Sequence, residues 1–197
     1  MTALSRSWGR RNAWALVALV PVAAAALWAT SGDYVRLYRN GTPRVAVSAD
    51  ASGEVSYDRA RFEVDRLTPD VSPLAATDPD FELPSGARAW ELRLAVEPDV
   101  GADTDALITC HVTLFDASGR SYSPDPGELG GGDYGYSSVG CDPSSAVHGR
   151  TPATPTPGSA YQVRMLFVLP GDATVASVHV VDLRLLPRYA VLPVPSG

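Results

Sequence analysis

The feature that most constrains how this chain folds is a strict alternation of apolar and polar residues. In the run from Ala89 to Val96, every second residue is apolar: Trp90, Leu92, Leu94 and Val96. A period of two residues belongs to a β-strand, whose successive side chains point to opposite faces. Beyond residue 44, no stretch shows a convincing 3.6-residue period. The pattern therefore predicts a half-buried strand of an antiparallel sheet.

The same kind of pattern predicts several more strands. They are Val45–Ser48, Arg61–Leu67, Leu107–Asp116, Arg120–Tyr122, Tyr161–Leu169 and Val175–Leu186. About seven short strands separated by Gly and Pro turns indicate an all-β domain, an antiparallel two-sheet sandwich of the immunoglobulin-like type. An eight-stranded barrel is the structural alternative.

This domain is expected to cover residues 45–186. Two stretches interrupt the strand pattern, 123–135 and 143–159, and we expect them to be long exposed loops. Residues 187–197 contain three Pro. We expect this Pro-rich tail to lie along the surface or to be loose.

The N-terminal segment has the charge pattern of a membrane anchor. Residues 1–12 carry Arg6, Arg10 and Arg11 but no acidic residue, and residues 13–30 carry no charge. A transmembrane helix needs about 20 apolar residues, and basic residues favour the cytoplasmic side. We therefore expect a cytoplasmic N-terminus (1–12), a transmembrane signal-anchor helix (13–30), a linker (31–44) and an extracytoplasmic domain. A signal peptide cleaved near Ala24–Ala26 is the alternative, although the apolar run is long and ends on the bulky Trp28.

The charge of the outer part limits its partners. The chain has no Lys, and residues 31–197 hold 13 Arg against 22 acidic residues, a net charge of −9. Nucleic acid and anionic lipid repel a domain with this much negative charge. We therefore expect no nucleic-acid partner. Two Cys and three His leave no room for a Cys-based zinc site of the usual four-ligand kind.

The two cysteines, Cys110 and Cys141, are expected to form a structural disulfide, because thiols usually pair in an oxidising exterior. The spacing is not that of a Cys-x-x-Cys redox motif, which lowers a thiol pKa. Two unpaired thiols are the alternative.

Other polar residues offer weaker candidates for chemistry. His111, His148 and His179 would have to meet a Ser and an Asp in a cleft to form a hydrolase site, and the G-x-S-x-G motif is absent from the sequence. Two acidic groups, Asp99/Asp103/Asp105 and Asp125/Glu128/Asp133, invite a calcium site, but neither matches the twelve-residue calcium loop. We expect surface histidines and solvated loop acids, and hence no catalytic residue, metal or cofactor.

A Gly-rich segment near Gly130–Gly132 is flanked by tyrosines. Tyr on flexible Gly and Ser loops is typical of adaptable binding surfaces. Tyr122, Tyr134 and Tyr136 are therefore the candidate interaction loop. Ordinary packing of these rings on the sandwich edge is the alternative.

The chain resembles a known class of envelope proteins. The residues that carry the resemblance are the strand-turn-strand Val112–Tyr122, the run Phe167–Ala173 and, more weakly, Arg61–Val64. They are similar to the immunoglobulin-like extracytoplasmic domain of Gram-positive lipoproteins and membrane proteins. The absence of Lys, together with two Asn and one Ile, fits a GC-rich genome, so the chain resembles actinobacterial single-pass membrane proteins of unknown function. The resemblance implies a fold and brings no catalytic residues.

These observations together predict a non-enzymatic, membrane-anchored extracytoplasmic β-sandwich. It would act as a protein-interaction or accessory module and bind another protein of the cell envelope. A module that binds a small ligand, calcium or the cell wall, or a secreted form after signal cleavage, is the alternative.

Overall fold

The structure is a computed structural model of the 197-residue chain. It describes residues 17, 19–27, 38, 40–69, 83–102, 107–108, 110–125, 136–138, 140–148, 151–152, 156 and 158–195. By its internal contacts the chain divides into two compact units, Met1–Thr42 and Pro43–Gly197.

The first unit contains a helix at residues 19–27, and residues 38, 40 and 41 of the expected linker are also helical. Among the residues that the structure describes, no helix combines the length and the apolar character needed to cross a membrane. The expected anchor at 13–30 extends past the described helix at both ends. The anchor therefore stays a prediction.

The second unit is a β-sandwich. In chain order its strands are Val45–Ser48 (β1), Val55–Tyr57 (β2), Ala60–Thr68 (β3), Ala87–Pro98 (β4), Cys110–Asp116 (β5), Ser121–Tyr122 (β6), Ala146–His148 (β7), Thr151–Pro152 (β8), Tyr161–Pro170 (β9), Val175–Asp182 (β10) and Arg188–Pro193 (β11). Sheet 1 has the order β1-β11-β10-β5-β6 and sheet 2 the order β2-β3-β4-β9-β7-β8. The predicted two-sheet β-sandwich is thus confirmed. The pairing of β1 with β11 is parallel, whereas the neighbouring β10–β11 and β10–β5 pairs are antiparallel.

The core lies between the sheets and follows from the alternation in the sequence. Sheet 2 contributes the apolar residues of β4 and β9, among which Leu92 pairs with Met165 and Leu94 with Val163. Sheet 1 contributes its own inward residues, such as Leu114, Val178 and Leu192, all fully buried. Burying one such side chain stabilises the fold by about 1.5–3 kcal/mol.

The expectation of a loose Pro-rich tail is wrong for residues 188–193. They form β11, which lies between β1 and β10, and Ala190 and Leu192 are completely buried. Pro187 precedes the strand and Pro193 is its last residue, so neither proline interrupts the middle of the ladder. The expected long strand Val175–Leu186 ends earlier, at Asp182, because a short 3₁₀ helix, Leu183–Leu185, turns the chain towards β11.

The expected loop at 143–159 also contains regular structure. A 3₁₀ turn, Pro143–Ser145, leads into the short antiparallel pair β7 and β8, and β7 pairs with β9. The sequence analysis did not predict β2, β7 or β8. Each has only two or three residues, too few to display a period.

Candidate interaction face

The outer side of sheet 1 consists of alternate residues of four strands, and these residues are half-buried or exposed. The cross-strand register places the outward positions of these strands in rows, for example Thr113, His179 and Val191. We call these positions the sheet 1 face: Ala46, Ser48, His111, Thr113, Phe115, Ser177, His179, Val181, Tyr189, Val191 and Pro193. None of them is Asp, Glu, Arg or Lys.

An aromatic stripe crosses this face diagonally. The His179 ring stacks on Phe115 with centroids 4.1 Å apart and lies 5.1 Å from the Tyr189 ring on its other side. All three side chains are half-buried. Burial lowers the pKa of His179, so its imidazole stays neutral at neutral pH. The stripe is therefore an uncharged ridge from β5 to β11.

The outer side of sheet 2 has the opposite character. Arg61 pairs with Glu97 there, and Gln162 donates to the Asp65 carboxylate at 2.9 Å. The two outer faces of one sandwich therefore differ sharply in charge. Residues 31–197 have a net charge of −9, so the absence of Asp, Glu and Arg from the sheet 1 face contrasts with the composition of this part of the chain.

Part of the outer side of sheet 2 is covered by the chain itself. Glu91 lies on this side of β4 and is 1% exposed, and it accepts hydrogen bonds from Arg164 and Tyr136, both at 2.8 Å, and from Arg93 at 2.6 Å. The Arg164 guanidinium lies 4.4 Å above the centre of the Tyr136 ring. The backbone N–H of Ser137 donates to the Arg164 carbonyl at 2.6 Å. These contacts hold residues 136–137 against sheet 2.

The electrostatics of Glu91 reflect this arrangement. Burial acts to raise the pKa of its carboxyl, but hydrogen bonds from Arg164, Arg93 and Tyr136 outweigh burial and lower the pKa to about 2. Glu91 is therefore ionised at neutral pH.

The candidate interaction loop is only partly described. Tyr134 lies outside the described residues. Tyr136 is 7% exposed, so its ring serves packing and not the surface. Tyr122 is half-buried, packs against the core and donates to Asp116 Oδ2 at 3.0 Å. Tyr122 and Tyr136 thus make hydrogen bonds within the domain, and a binding role for Tyr122, Tyr134 and Tyr136 stays a prediction.

Asp116 explains why Tyr122 is held in place. Its carboxylate accepts hydrogen bonds from Ser118 N, from Arg120 N and from Arg120 Nε, at 2.9, 2.9 and 2.6 Å. Burial acts to raise the pKa of Asp116, but bonds from Ser118, Arg120 and Tyr122 lower it overall. This carboxylate fixes the β5–β6 turn.

The predicted disulfide between Cys110 and Cys141 is present, with their Cα atoms 5.6 Å apart. Both residues lie in the hydrophobic core. The bridge joins the first residue of β5 in sheet 1 to the segment before β7 in sheet 2. A hydrogen bond also fixes this segment to sheet 2: the Tyr161 hydroxyl of β9 donates to the Cys141 carbonyl at 2.7 Å.

His111 and His179 both lie on the sheet 1 face, on the neighbouring strands β5 and β10. His111 is exposed, His179 is in the aromatic stripe, and the side chain of His148 lies outside the described part of the chain. Ser177 Oγ lies 3.1 Å from His179 Nε2. The sheet 1 face offers no carboxylate to orient this imidazole, so a Ser-His-Asp site is not assembled there.

The two acidic groups proposed for calcium are mostly undescribed. Asp103, Asp105, Glu128 and Asp133 lie outside the described residues. Within the part of the chain that the structure covers, no group of three or more His, Cys, Asp or Glu is arranged to hold a metal ion. A calcium site at these loops is untested.

Sequence reasoning did not find the sheet 1 face. The signal lies in the alternate residues of β10 and β11, where Ser177, His179, Val181, Tyr189 and Val191 include no Asp, Glu, Arg or Lys. Because the sequence analysis expects a tail from residue 187, it does not assign the alternating residues of β11 to a strand.

Neither a protein family nor a curated protein sequence matches this chain. Among solved structures, the chain is similar to MPT63, a secreted protein from Mycobacterium tuberculosis. The TM-score is 0.47 and the identity 14%, over 75% of this chain and 97% of that one. It is also similar to an uncharacterised β-sandwich protein from Clostridium difficile 630, with a TM-score of 0.38 and 9% identity over 78% and 96% of the two chains. The sandwich assignment here rests on the strand pairing of this chain itself.

Proposed function

We propose that this protein is a non-enzymatic, membrane-anchored, extracytoplasmic β-sandwich of immunoglobulin-like type that binds another envelope protein through the sheet 1 face. In sheet 1 the first strand, β1, runs parallel to the last, β11, and the chain passes several times between the sheets. This topology supports the immunoglobulin-like assignment.

Two observations support the location outside the cytoplasm. Disulfides persist in oxidising compartments, and the Cys110–Cys141 bridge is buried in the core. Arg6, Arg10 and Arg11 precede the charge-free run at 13–30, which favours a cytoplasmic N-terminus. A form secreted after cleavage near Ala24–Ala26 would carry the same sandwich. The mass of the mature N-terminus, measured on protein from its native membrane, separates the two forms.

The observation that carries the proposal is the contrast between the two outer faces. Each outward position of a sheet covers about 30 Å². The eleven positions of the sheet 1 face therefore cover about 330 Å² without an Asp, Glu, Arg or Lys. Half-buried aromatic rings such as Phe115 and Tyr189 are the residue type enriched at the centres of interfaces.

The chemistry of the face indicates the kind of partner. A surface without Asp, Glu or Arg has no charged side chain that could pair with an ionic ligand. The aromatic stripe instead provides apolar contact area. The matching surface is therefore an uncharged, apolar patch on a second protein. Because the rest of the domain is strongly acidic, a partner with basic residues around this patch would gain further attraction at the rim.

Site-specific photo-crosslinking in the native membrane tests the proposal. A photoreactive benzoylphenylalanine replaces Val191 on the sheet 1 face in the full-length protein. The matched control carries the same residue at Ala95, an outward position of β4 in sheet 2. We expect one dominant protein adduct from position 191 and none from position 95.

Other outcomes would reject the proposal. Equal adducts from both positions would mean non-specific contact. No protein adduct from position 191, together with wall fragments or calcium in the purified protein, would replace the interaction proposal by a ligand-binding module.

A further inference from the structure

A second group of charged residues lies at one end of the sandwich, outside the sheet 1 face. The turn between β2 and β3 in sheet 2 consists of Asp58 and Arg59, and both have positive φ values, 52° and 59°. Such a two-residue turn with left-handed backbone at both positions is a type I′ hairpin. The turn brings Asp58 to the end of β10 in sheet 1, where Asp182 lies.

Arg184 joins the two acids across the sheets. Its Nη2 donates to Asp58 Oδ2 at 2.9 Å, and its Nε donates to Asp182 Oδ1 at 3.1 Å. The Asp58 side chain is 12% exposed and that of Asp182 is 1% exposed. This guanidinium therefore links the β2–β3 turn of sheet 2 to the end of sheet 1.

Arg184 Nη2 also donates to Asp182 Oδ2, so one guanidinium nitrogen is shared by an oxygen of each carboxyl group. One positive charge therefore faces two carboxyl groups, and a single proton on the pair would balance the charge of the cluster. Two ionised carboxylates at this separation would repel each other in a largely buried place.

Asp58 is the more easily protonated member of the pair. Burial is the main reason that the pKa of Asp58 is raised, to about 6, and the neighbouring Asp182 carboxyl adds to it against the opposing effect of Arg184. For Asp182, burial acts to raise the pKa, but the hydrogen bonds from Arg184 and the proximity of Asp58 lower it overall. The pair therefore titrates as a unit, with one proton below about pH 6 and none above it.

We infer that Asp58, Asp182 and Arg184 form a proton-dependent clasp between the two sheets, tight when the carboxyl pair holds one proton and weaker when both are ionised. It would make one end of an extracytoplasmic sandwich respond to the acidity of its surroundings. The clasp does not depend on the sheet 1 face or on any partner.

The groups around the clasp are consistent with this role. Tyr57 on β2 accepts a hydrogen bond from Asp182 N at 3.1 Å and donates to the Arg188 carbonyl of β11 at 2.9 Å. On the side of β5, Asp182 pairs with Cys110, which is in the disulfide and does not titrate. The charged or titratable groups beside the pair include Tyr57, Arg184 and Arg59 of the same turn, and Arg188 acts on Tyr57.

The sign of the effect follows from the raised pKa of Asp58. An acid whose pKa is higher in the folded state stabilises that state at low pH, and this stability is lost as the pH rises towards about 6. With an unfolded pKa of 3.8, the folding equilibrium constant falls by about 20-fold between pH 4.5 and 7.5 through this pair alone.

The test compares urea unfolding of the full-length protein with that of Asp58→Asn at pH 4.5 and 7.5. Asn is well tolerated at the first position of a type I′ turn, so this variant keeps the hairpin and removes the titrating group. Between pH 4.5 and 7.5, the folding equilibrium constant of the wild type should fall about 20-fold more than that of the variant. Asp65→Asn, at an exposed acid of the same strand pair, is the control and should follow the wild type.

A local measurement keeps the test independent of global stability. Carboxyl carbon NMR of Asp58 in the native protein should show a midpoint near pH 6, and exchange of the Asp182 N–H should speed up above it. A midpoint near pH 4 at Asp58, or the same pH dependence of unfolding in Asp58→Asn as in the wild type, would overturn the inference.

Discussion

Replacing Glu91 by Gln should destabilise the sandwich strongly, because this carboxylate is the acceptor around which residues 136–137 are packed. The substitution keeps the volume and removes the charge that faces Arg164, whose side chain is 2% exposed. Removing one member of a buried ion pair typically costs about 3–5 kcal/mol. The pKa of Glu91, about 2 against 4.5 for the free group, corresponds to about 3 kcal/mol. We therefore expect a loss of about 3 kcal/mol at neutral pH.

The assay is urea unfolding of the full-length chain, followed by the fluorescence of its tryptophans. In a separate thermal scan, the same loss of about 3 kcal/mol would lower the melting temperature by about 6–12 °C for a domain of this size. The control is Glu97→Gln on the same strand, since this carboxylate is 48% exposed in its pair with Arg61. Exposed pairs contribute about 0–1 kcal/mol, so the control should stay close to the wild type.

The pH dependence gives a second check on Glu91. A carboxyl whose pKa is lowered in the folded state contributes stability above its unfolded pKa of 4.5 and loses it as the pH falls towards 2. The difference in the free energy of unfolding between the wild type and Glu91→Gln should therefore become smaller as the pH falls. A gap below about 1 kcal/mol at neutral pH, or a gap that does not change with acid, would refute the assigned role of this carboxylate.

Three further predictions follow from the same structure. Replacing Cys110 and Cys141 together by Ala should cost about 3–4 kcal/mol in urea unfolding, since the bridge spans 31 residues; an unchanged midpoint would contradict this. Arg59→Gly should raise stability by about 0.5–1 kcal/mol in thermal unfolding, because Gly adopts the left-handed backbone of the turn without strain, and a fall in melting temperature would speak against the turn. Gly140→Ala should cost about 2–4 kcal/mol, because the added Cβ would lie 2.2 Å from the Cys110 carbonyl oxygen, and wild-type stability together with full disulfide formation would exclude this close approach.

Local pattern was enough to predict the fold class and the central strands. The alternation in Ala89–Val96 lies within β4, and the chemistry of two cysteines in an oxidising exterior was enough to predict the Cys110–Cys141 pair. In both cases the signal is contained in the residues themselves. The strongest features of the sandwich are therefore readable from short segments.

Features that depend on distant segments could not be read in this way. The alternation places Glu91 on the polar side of β4, yet it is buried because Tyr136 and Arg164 cover it. Likewise β11 is buried because β1 and β10 enclose it from both sides, although its flanking prolines suggest a loose tail. Such pairings join residues more than one hundred positions apart, as in Val47 with Ala190.

The sheet 1 face illustrates the same limit at the functional level. Phe115, His179 and Tyr189 come from three strands, and their diagonal contact depends on the register of both strand pairs. A shift of one residue in either register would turn one ring inwards. The stripe therefore becomes visible only when the whole sheet is assembled.

The central claim is that a partner binds the sheet 1 face, and co-purification with matched charge variants tests it most directly. Full-length wild type, Val191→Arg and Ala95→Arg are purified from the native membrane, and the protein captured from position 191 is quantified. A charge buried without a counter-charge in an interface costs several kcal/mol, so Val191→Arg should retain less than about a tenth of the partner. Ala95→Arg, beside Glu63 on the opposite face, should retain all of it. Equal partner recovery by the two variants, whether full or lost, would contradict the account.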